Sequence, residues 1–171
     1  NAALVAAALG AEVTVFDTDR DKLVAARAMG ANVTGLYPHV SDVAEAVRHA
    51  DIAIGAVLVT GARAPHVVTA EMVRTMQRGS VIVDISVDQG GCVETTKPTT
   101  YDAPTYVWEG VTHFAVTNMP GAVPRTSSQA LSAAIAPYAS RLAESGWRDD
   151  AGLARGINID AGKVVHPALM S

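Results

Sequence analysis

One cysteine, Cys92, stands among 171 residues, so no internal disulfide can staple this chain. A lone thiol fits a reducing compartment, and a soluble cytoplasmic protein is the expectation. Aromatic residues make up only 5% of the sequence, and 13 Lys and Arg face 17 Asp and Glu for a net charge of −4. Without a basic block, the chain has no electrostatic footprint for nucleic acid. No apolar run reaches the roughly 20 residues that a membrane-spanning helix requires. His39, His49, His66 and His166 have no ligand spacing, and Cys92 has no base or metal partner nearby in sequence, so no metal site is expected. What is present is an ordinary globular composition, 49% hydrophobic and 18% charged, with length enough for one domain with a sizeable core.

The stretch from Ser80 to Gly91, SVIVDISVDQGG, organises the rest. Val81 to Val87 alternate or run apolar with β-branched Val and Ile, and the pattern stops at Asp88-Gln89-Gly90-Gly91, as expected of a buried strand with an acid at its carboxyl end. In an open parallel α/β sheet, ligands bind beyond the carboxyl ends of the strands, which makes Asp88 a site candidate. A helix-capping or turn aspartate is the alternative.

Elements of both kinds alternate along the chain. Helices are expected over 1–9, 19–29, 41–49, 69–76 and from about Thr126 to Ser145, the last kinked at Pro137. Strands are expected over 12–17, 32–36, 52–57, 81–87 and 111–117, with a loop through 92–105. Two short strands joined by an Asp-Ala-Gly turn should close the tail, within 156–167. This alternation predicts an α/β fold with a doubly wound parallel sheet of Rossmann type. Met72 and Met76, one helical turn apart, are expected in the core, and His113 as a satisfied structural histidine.

Asp17 ends the strand EVTVFD. In a dinucleotide-binding fold a Gly-rich turn follows the first strand, and an acid about 20 residues later takes the ribose hydroxyls. Asp17 occupies that acid's place, while a first strand and its Gly-rich turn would lie before Asn1. The sheet is therefore expected to be incomplete at its N-terminal end. That first strand is central in this topology, so a gap should separate its two neighbours. The chain is expected to be part of a longer polypeptide, with residues 1–146 as the dinucleotide-binding domain and 147–171 as a tail segment packing on a further domain. A strand-ending turn is the other reading of Asp17.

Three blocks carry a resemblance: IGAVLVTGARAPHVVT, GSVIVDISVDQGGCVETTKPTTYDAPTY and NMPGAVPRTSSQAL. Together they resemble the cofactor-binding half of the alanine dehydrogenases, which share ancestry with the NAD-binding subunit of proton-pumping transhydrogenase. The resemblance implies reversible, NAD-dependent oxidative deamination of L-alanine to pyruvate and ammonium. It implies Asp17 as the ribose acid that favours NAD over NADP, with Lys22 near the adenosine end. Val57, Leu58 and Ile85 would line the cofactor crevice. Asp88 matches the catalytic aspartate, and Val116, Asn118 and Met119 match residues around nicotinamide and substrate. A family serine near the adenosine ribose has no counterpart around Pro38-His39. The family's substrate-binding Lys and catalytic His belong to an amino-terminal domain outside this chain, and the family is often hexameric.

The chemistry is consistent with those roles. Hydride removal from an amine carbon leaves an iminium that water must attack, which calls for a proton acceptor such as Asp88 within reach of that water. Asn118 carries both a donor and an acceptor for a carboxamide or substrate. Free amides at a helix start near Thr126 and Ser127 would face the same crevice. Arg125 is open to carboxylate or phosphate binding, or to packing at a helix end. Two further readings stand beside the dehydrogenase: the NAD(H)-binding part of a transhydrogenase, against which the DQGG block argues, and a non-catalytic NAD-binding or assembly module in which Asp88 is structural.

Overall fold

The structure is a computed structural model that describes residues 1–59 and 61–170. Thr60, inside the GAVLVTGARAP block, and Ser171, at the end of the tail, lie outside the described residues.

Helix α1 (Ala2–Ala8) leads into β1 (Val13–Phe16), which pairs in parallel with β2 (Val33–Leu36). Between them runs α2 (Arg20–Arg27), which starts where the Asp19 carboxylate accepts from the Asp21 N–H and buries Leu23 and Ala26. The Asn32 side-chain amide donates to the carbonyls of Ala7 and Ala11, at 3.0 and 2.7 Å, and so ties α1 to the entry of β2. A small core of Ala7, Ala26 and Val33 sits between these elements.

The larger sheet has the order β3 (Ile52–Gly55), β4 (Val81–Asp84), β6 (Val111–Phe114), β5 (Thr105–Trp108). β3, β4 and β6 run parallel, and β5 is antiparallel at the edge. Helices α3 (Val40–His49) and α4 (Ala70–Thr75) supply Val43, Val47 and Val73 to the main core, which they share with Met76, Ile82 and Val111. Met76 is buried and Met72 packs against the same cluster, as their spacing suggests. The fold is thus the expected α/β arrangement with a mostly parallel sheet.

Several boundaries differ from the expectation. β5 begins at Thr105, where the expected loop over 92–105 ends, and no strand is expected there from the sequence. The sequence TYVW-EG-VTHF is a hairpin whose two turn residues, Glu109 and Gly110, both have positive φ, 51° and 84°. Helix α3 starts at Val40, with His39 and not Ser41 at its cap. α5 (Pro124–Leu142) starts two residues before Thr126 with proline in the first turn, where a missing N–H costs nothing, and it continues past Pro137. This helix of 19 residues contains no buried residue, and Leu131, Ile135, Tyr138 and Leu142 are all exposed.

Among the described residues β1 has only β2 as a strand partner and β3 only β4, so the two parallel units are separate sheets. Ile52 and Ile54 of β3 are exposed. The tail forms a hairpin of β7 (Ile159–Asp160) and β8 (Lys163–Val164) around Ala161-Gly162, as expected, preceded by a helix, α6 (Ala151–Arg155), that the sequence pattern does not announce. Ion pairs Arg141–Asp150 and Arg148–Asp160 fasten it. No described helix is long and apolar enough to cross a membrane.

Candidate active site

The strand expected over 81–87 ends at Asp84, and Ile85–Gln89 is a 3-10 helix. The Asp84 carboxylate accepts from the Ser86 N–H at 3.0 Å and turns the chain out of its extended course. Val87 is buried nonetheless, so the apolar pattern outlasts the strand and conceals its end. Asp88 therefore lies one helical turn beyond β4, on an exposed face.

Its carboxylate reaches across to the segment after β6. Both Asp88 oxygens lie 3.2 Å from the Asn118 backbone nitrogen and accept from its N–H. Asn118 adopts a left-handed conformation, φ 50° and ψ 50°, at the start of a 3-10 turn over Met119–Ala122. Two hydroxyls hold that turn: Tyr101 donates to the Met119 carbonyl and Ser127 to the Pro120 carbonyl, each at 2.8 Å. Asp88, Asn118 and Met119 thus come together from two strand ends, as a shared site requires.

A wide, shallow depression of about 540 Å³ flanks Asp88, lined also by Gly61, Ala62, Arg63, Gln89 and Gly90. Gly90 has φ 94°, and a Cβ there would stand 3.0 Å from the Arg63 Nε. Arg63 was not singled out from sequence. The available signal was a cation in the loop that follows β3, within the GAVLVTGARAP block.

The remaining positions differ in what they offer. Leu58 is 74% exposed and Ile85 48% exposed, each just past a strand end. Val57 packs against the main core, and its carbonyl accepts from the Ser86 hydroxyl at 2.8 Å. Val116 is 1% exposed and presents no open surface. Asp17 follows β1; one oxygen accepts from the Asp19 N–H at 2.9 Å, and the other lies 3.6 Å from the Lys22 Nζ. Asp17 with Lys22 and Asp88 with Asn118 form two groups that share no hydrogen bond among the described residues.

The free acceptor sites at Asp17 are of the kind that a ribose diol can donate to. A carboxylate has about four lone-pair sites, and two of those at Asp17 are engaged, leaving acceptors for a vicinal diol. Among the described residues no group of three or more His, Cys, Asp or Glu is placed to hold a metal ion.

His113 is buried and structural. Its Nδ1–H donates to the Val111 carbonyl at 3.1 Å, which leaves Nε2 to accept from the Thr95 hydroxyl at 2.8 Å, and the Tyr106 ring stacks on it. Burial holds its pKa below the ordinary imidazole value. Burial likewise pushes the Cys92 thiol up. Cys92 does have an acidic neighbour, Asp84, whose Oδ1 lies 3.6 Å from its sulfur, a contact invisible in sequence spacing.

The family described as "Alanine dehydrogenase/PNT, C-terminal domain" matches residues 1–167. The chain is 48% identical to the alanine dehydrogenase of Halomonas elongata, with 99% of this chain and 47% of that protein covered. It is also 48% identical to the alanine dehydrogenase of Geobacillus stearothermophilus, over the same shares of each chain. It therefore spans about half the length of these relatives. Among solved structures, an L-alanine dehydrogenase superposes with a TM-score of 0.85 at 47% identity, covering 99% of this chain and 48% of the other. A transhydrogenase from Sinorhizobium meliloti superposes with a TM-score of 0.79 at 27% identity, covering 98% and 46%. With the family matched over nearly all its length, the chain belongs to the C-terminal domain family of the alanine dehydrogenases and pyridine nucleotide transhydrogenases.

Proposed function

We propose that this chain is the NAD-binding part of an alanine dehydrogenase, which converts L-alanine reversibly to pyruvate and ammonium in the cytoplasm. The observation that carries the reading is the bond from the Asn118 backbone N–H to the Asp88 carboxylate, which joins the segments after two different strand ends beside a wide, open depression. Bound NAD would supply the hydride acceptor.

The residues of the chain divide the remaining work. Asp17 accepts hydrogen bonds from the adenosine ribose and disfavours a 2'-phosphate by repulsion, with Lys22 beside it. Leu58 and Ile85 offer exposed apolar surface, and Val57, Val116 and Met119 shape the segments behind it. The Asn118 amide orients a carboxamide or the substrate. Asp88 takes a proton from the water that adds to the substrate's imine carbon and returns it in the reverse direction. Its bond to the Asn118 N–H fixes the carboxylate's direction while leaving lone pairs for that water.

Further parts of the site belong to the rest of the polypeptide. An amino-terminal substrate domain contributes the basic residues that hold the alanine carboxylate and assist proton transfer. A strand preceding Asn1 fills the sheet between β1 and β3; the single strand partner of each and the exposed Ile52 and Ile54 support this. The uncovered apolar stripe of α5 and the tail over 147–171 suit contact with that domain. Assembly into a homo-oligomer, a hexamer by resemblance, is part of the same proposal.

The test is turnover by the complete polypeptide: NADH formed from L-alanine and NAD, and consumed with pyruvate plus ammonium. Hydride exchange between two nucleotides without alanine turnover would favour a transhydrogenase instead. NADH binding with neither activity would leave a non-catalytic NAD-binding or assembly module. The alanine dehydrogenase relatives at 48% identity, against 27% for the transhydrogenase structure, favour deamination.

A further inference from the structure

Asp84 is fully buried at the end of β4, and no Lys or Arg among the described residues pairs with it. A buried carboxylate without a counter-ion is tolerated only when hydrogen bonds replace its lost hydration. Here they do. Oδ1 accepts from the Ser86 N–H at 3.0 Å. Oδ2 accepts from the N–H groups of Cys92 at 2.9 Å and Val93 at 3.1 Å, and from the Thr96 hydroxyl at 2.6 Å.

These donors flank Asp88 on both sides. Ser86 precedes it by two residues, and Cys92, Val93 and Thr96 follow it, so one carboxylate pins both ends of the loop that carries Asp88. Side clamps complete the frame: Ser86 Oγ donates to the Val57 carbonyl, and the Ala64 N–H donates to the Gln89 carbonyl at 3.1 Å. The packing around the carboxylate leaves no slack. A Cβ on Gly91, where φ is 81°, would stand 2.9 Å from Asp84 Oδ2, and one on Gly55 of β3 would stand 2.5 Å from the Cys92 sulfur. The glycines at these two positions follow from the space the carboxylate and its donors require.

We propose that Asp84 is a positioning residue, whose closed ring of donors holds the Asp88 carboxylate against the Asn118 amide. Its catalytic consequence rests on the function proposed above, but its geometric consequence does not. Loosening the ring at Thr96, on the far side of the loop, should free Asp88 and thereby weaken its bond to Asn118.

The test is Thr96→Val in the complete polypeptide, with Thr96→Ser as the rescue and Asp84→Asn as the severe variant. Thr96→Val removes one donor at nearly constant volume, so it is the informative variant if Asp84→Asn does not fold. Loss of one charge-assisted hydrogen bond predicts a kcat about tenfold lower with KM for NAD within about twofold of wild type. Thr96→Ser, which keeps the hydroxyl, restores kcat. Amide exchange read by NMR at Asn118 should accelerate in Thr96→Val and not in Thr96→Ser. A lowered melting temperature with unchanged kcat and unchanged Asn118 exchange would show that Asp84 supports stability alone, and would overturn the proposal. If the wild type fails to turn over alanine, the proposed function falls, and exchange at Asn118 still decides the positioning role.

Discussion

Asp88 and Asn118 meet through a single backbone N–H shared between two carboxylate oxygens, each 3.2 Å from the nitrogen. The bond joins the 3-10 helix after β4 to the 3-10 turn after β6, so it fixes the width of the site at its carboxyl-terminal rim. It also directs the Asp88 carboxylate with a main-chain donor, which no substitution at 118 other than proline removes.

The left-handed backbone of Asn118 separates the residue's two roles. Asn and Gly tolerate φ 50°, while Ala pays about 1 kcal/mol there. Asn118→Ala should therefore lower stability by about that amount and Asn118→Gly should not. Both variants should lose activity, because both lack the carboxamide. Denaturant midpoints and kcat for the two variants check this; equal destabilisation by Ala and Gly would contradict it.

At Asp17 the prediction concerns cofactor choice. On the proposed role of Asp17, Asp17→Ala removes the acceptors offered to the ribose and leaves Lys22 without its ion-pair partner, which lowers the repulsion a 2'-phosphate would meet. NAD should bind about tenfold more weakly, the scale of one lost charged hydrogen bond, and the ratio of kcat/KM for NADP over NAD should rise. Steady-state kinetics with both nucleotides decide it, and an unchanged ratio would remove Asp17 from the ribose site.

His113 predicts a pH dependence of stability. Its folded pKa is depressed below the ordinary value of 6.5, chiefly by burial, so the unfolded chain binds the proton more readily. Stability is then insensitive to this group above that pH, and falls as pH drops through the unfolded value toward the folded one. Denaturant midpoints at a series of pH values should decline more steeply in wild type than in His113→Gln below pH 6.5. The variant should be the less stable protein at pH values above that point, since Gln cannot reproduce both the Val111 and Thr95 bonds with the ring's stacking on Tyr106. Parallel curves for the two proteins would contradict the assignment.

The order of strands and helices was legible because β-branched runs and helix starts such as Asp19 are local signals. The ends of elements were not, because burial continues past them. Val87 belongs to the expected strand over 81–87 yet sits in a 3-10 helix, and the strand ends at Asp84, inside that run. β6 is legible as a strand, but its hairpin partner β5 is not, because the Thr- and Pro-rich stretch before it carries loop signals that outweigh the two-residue turn Glu109-Gly110. At the site, Asp88 and Asn118 were legible as motif residues. The Asp84 ring was not, since its donors are spread over residues 86–96 and converge only in three dimensions.

The most direct test of the account is Asp88→Asn in the complete polypeptide. Asn is nearly isosteric and its carbonyl still accepts from the Asn118 N–H, so the fold and NADH binding should persist. It cannot take a proton from water, and kcat for alanine deamination should fall by about 10²-fold or more. A variant that folds, binds NADH and deaminates alanine at near the wild-type rate would contradict the assignment of Asp88 as the proton acceptor.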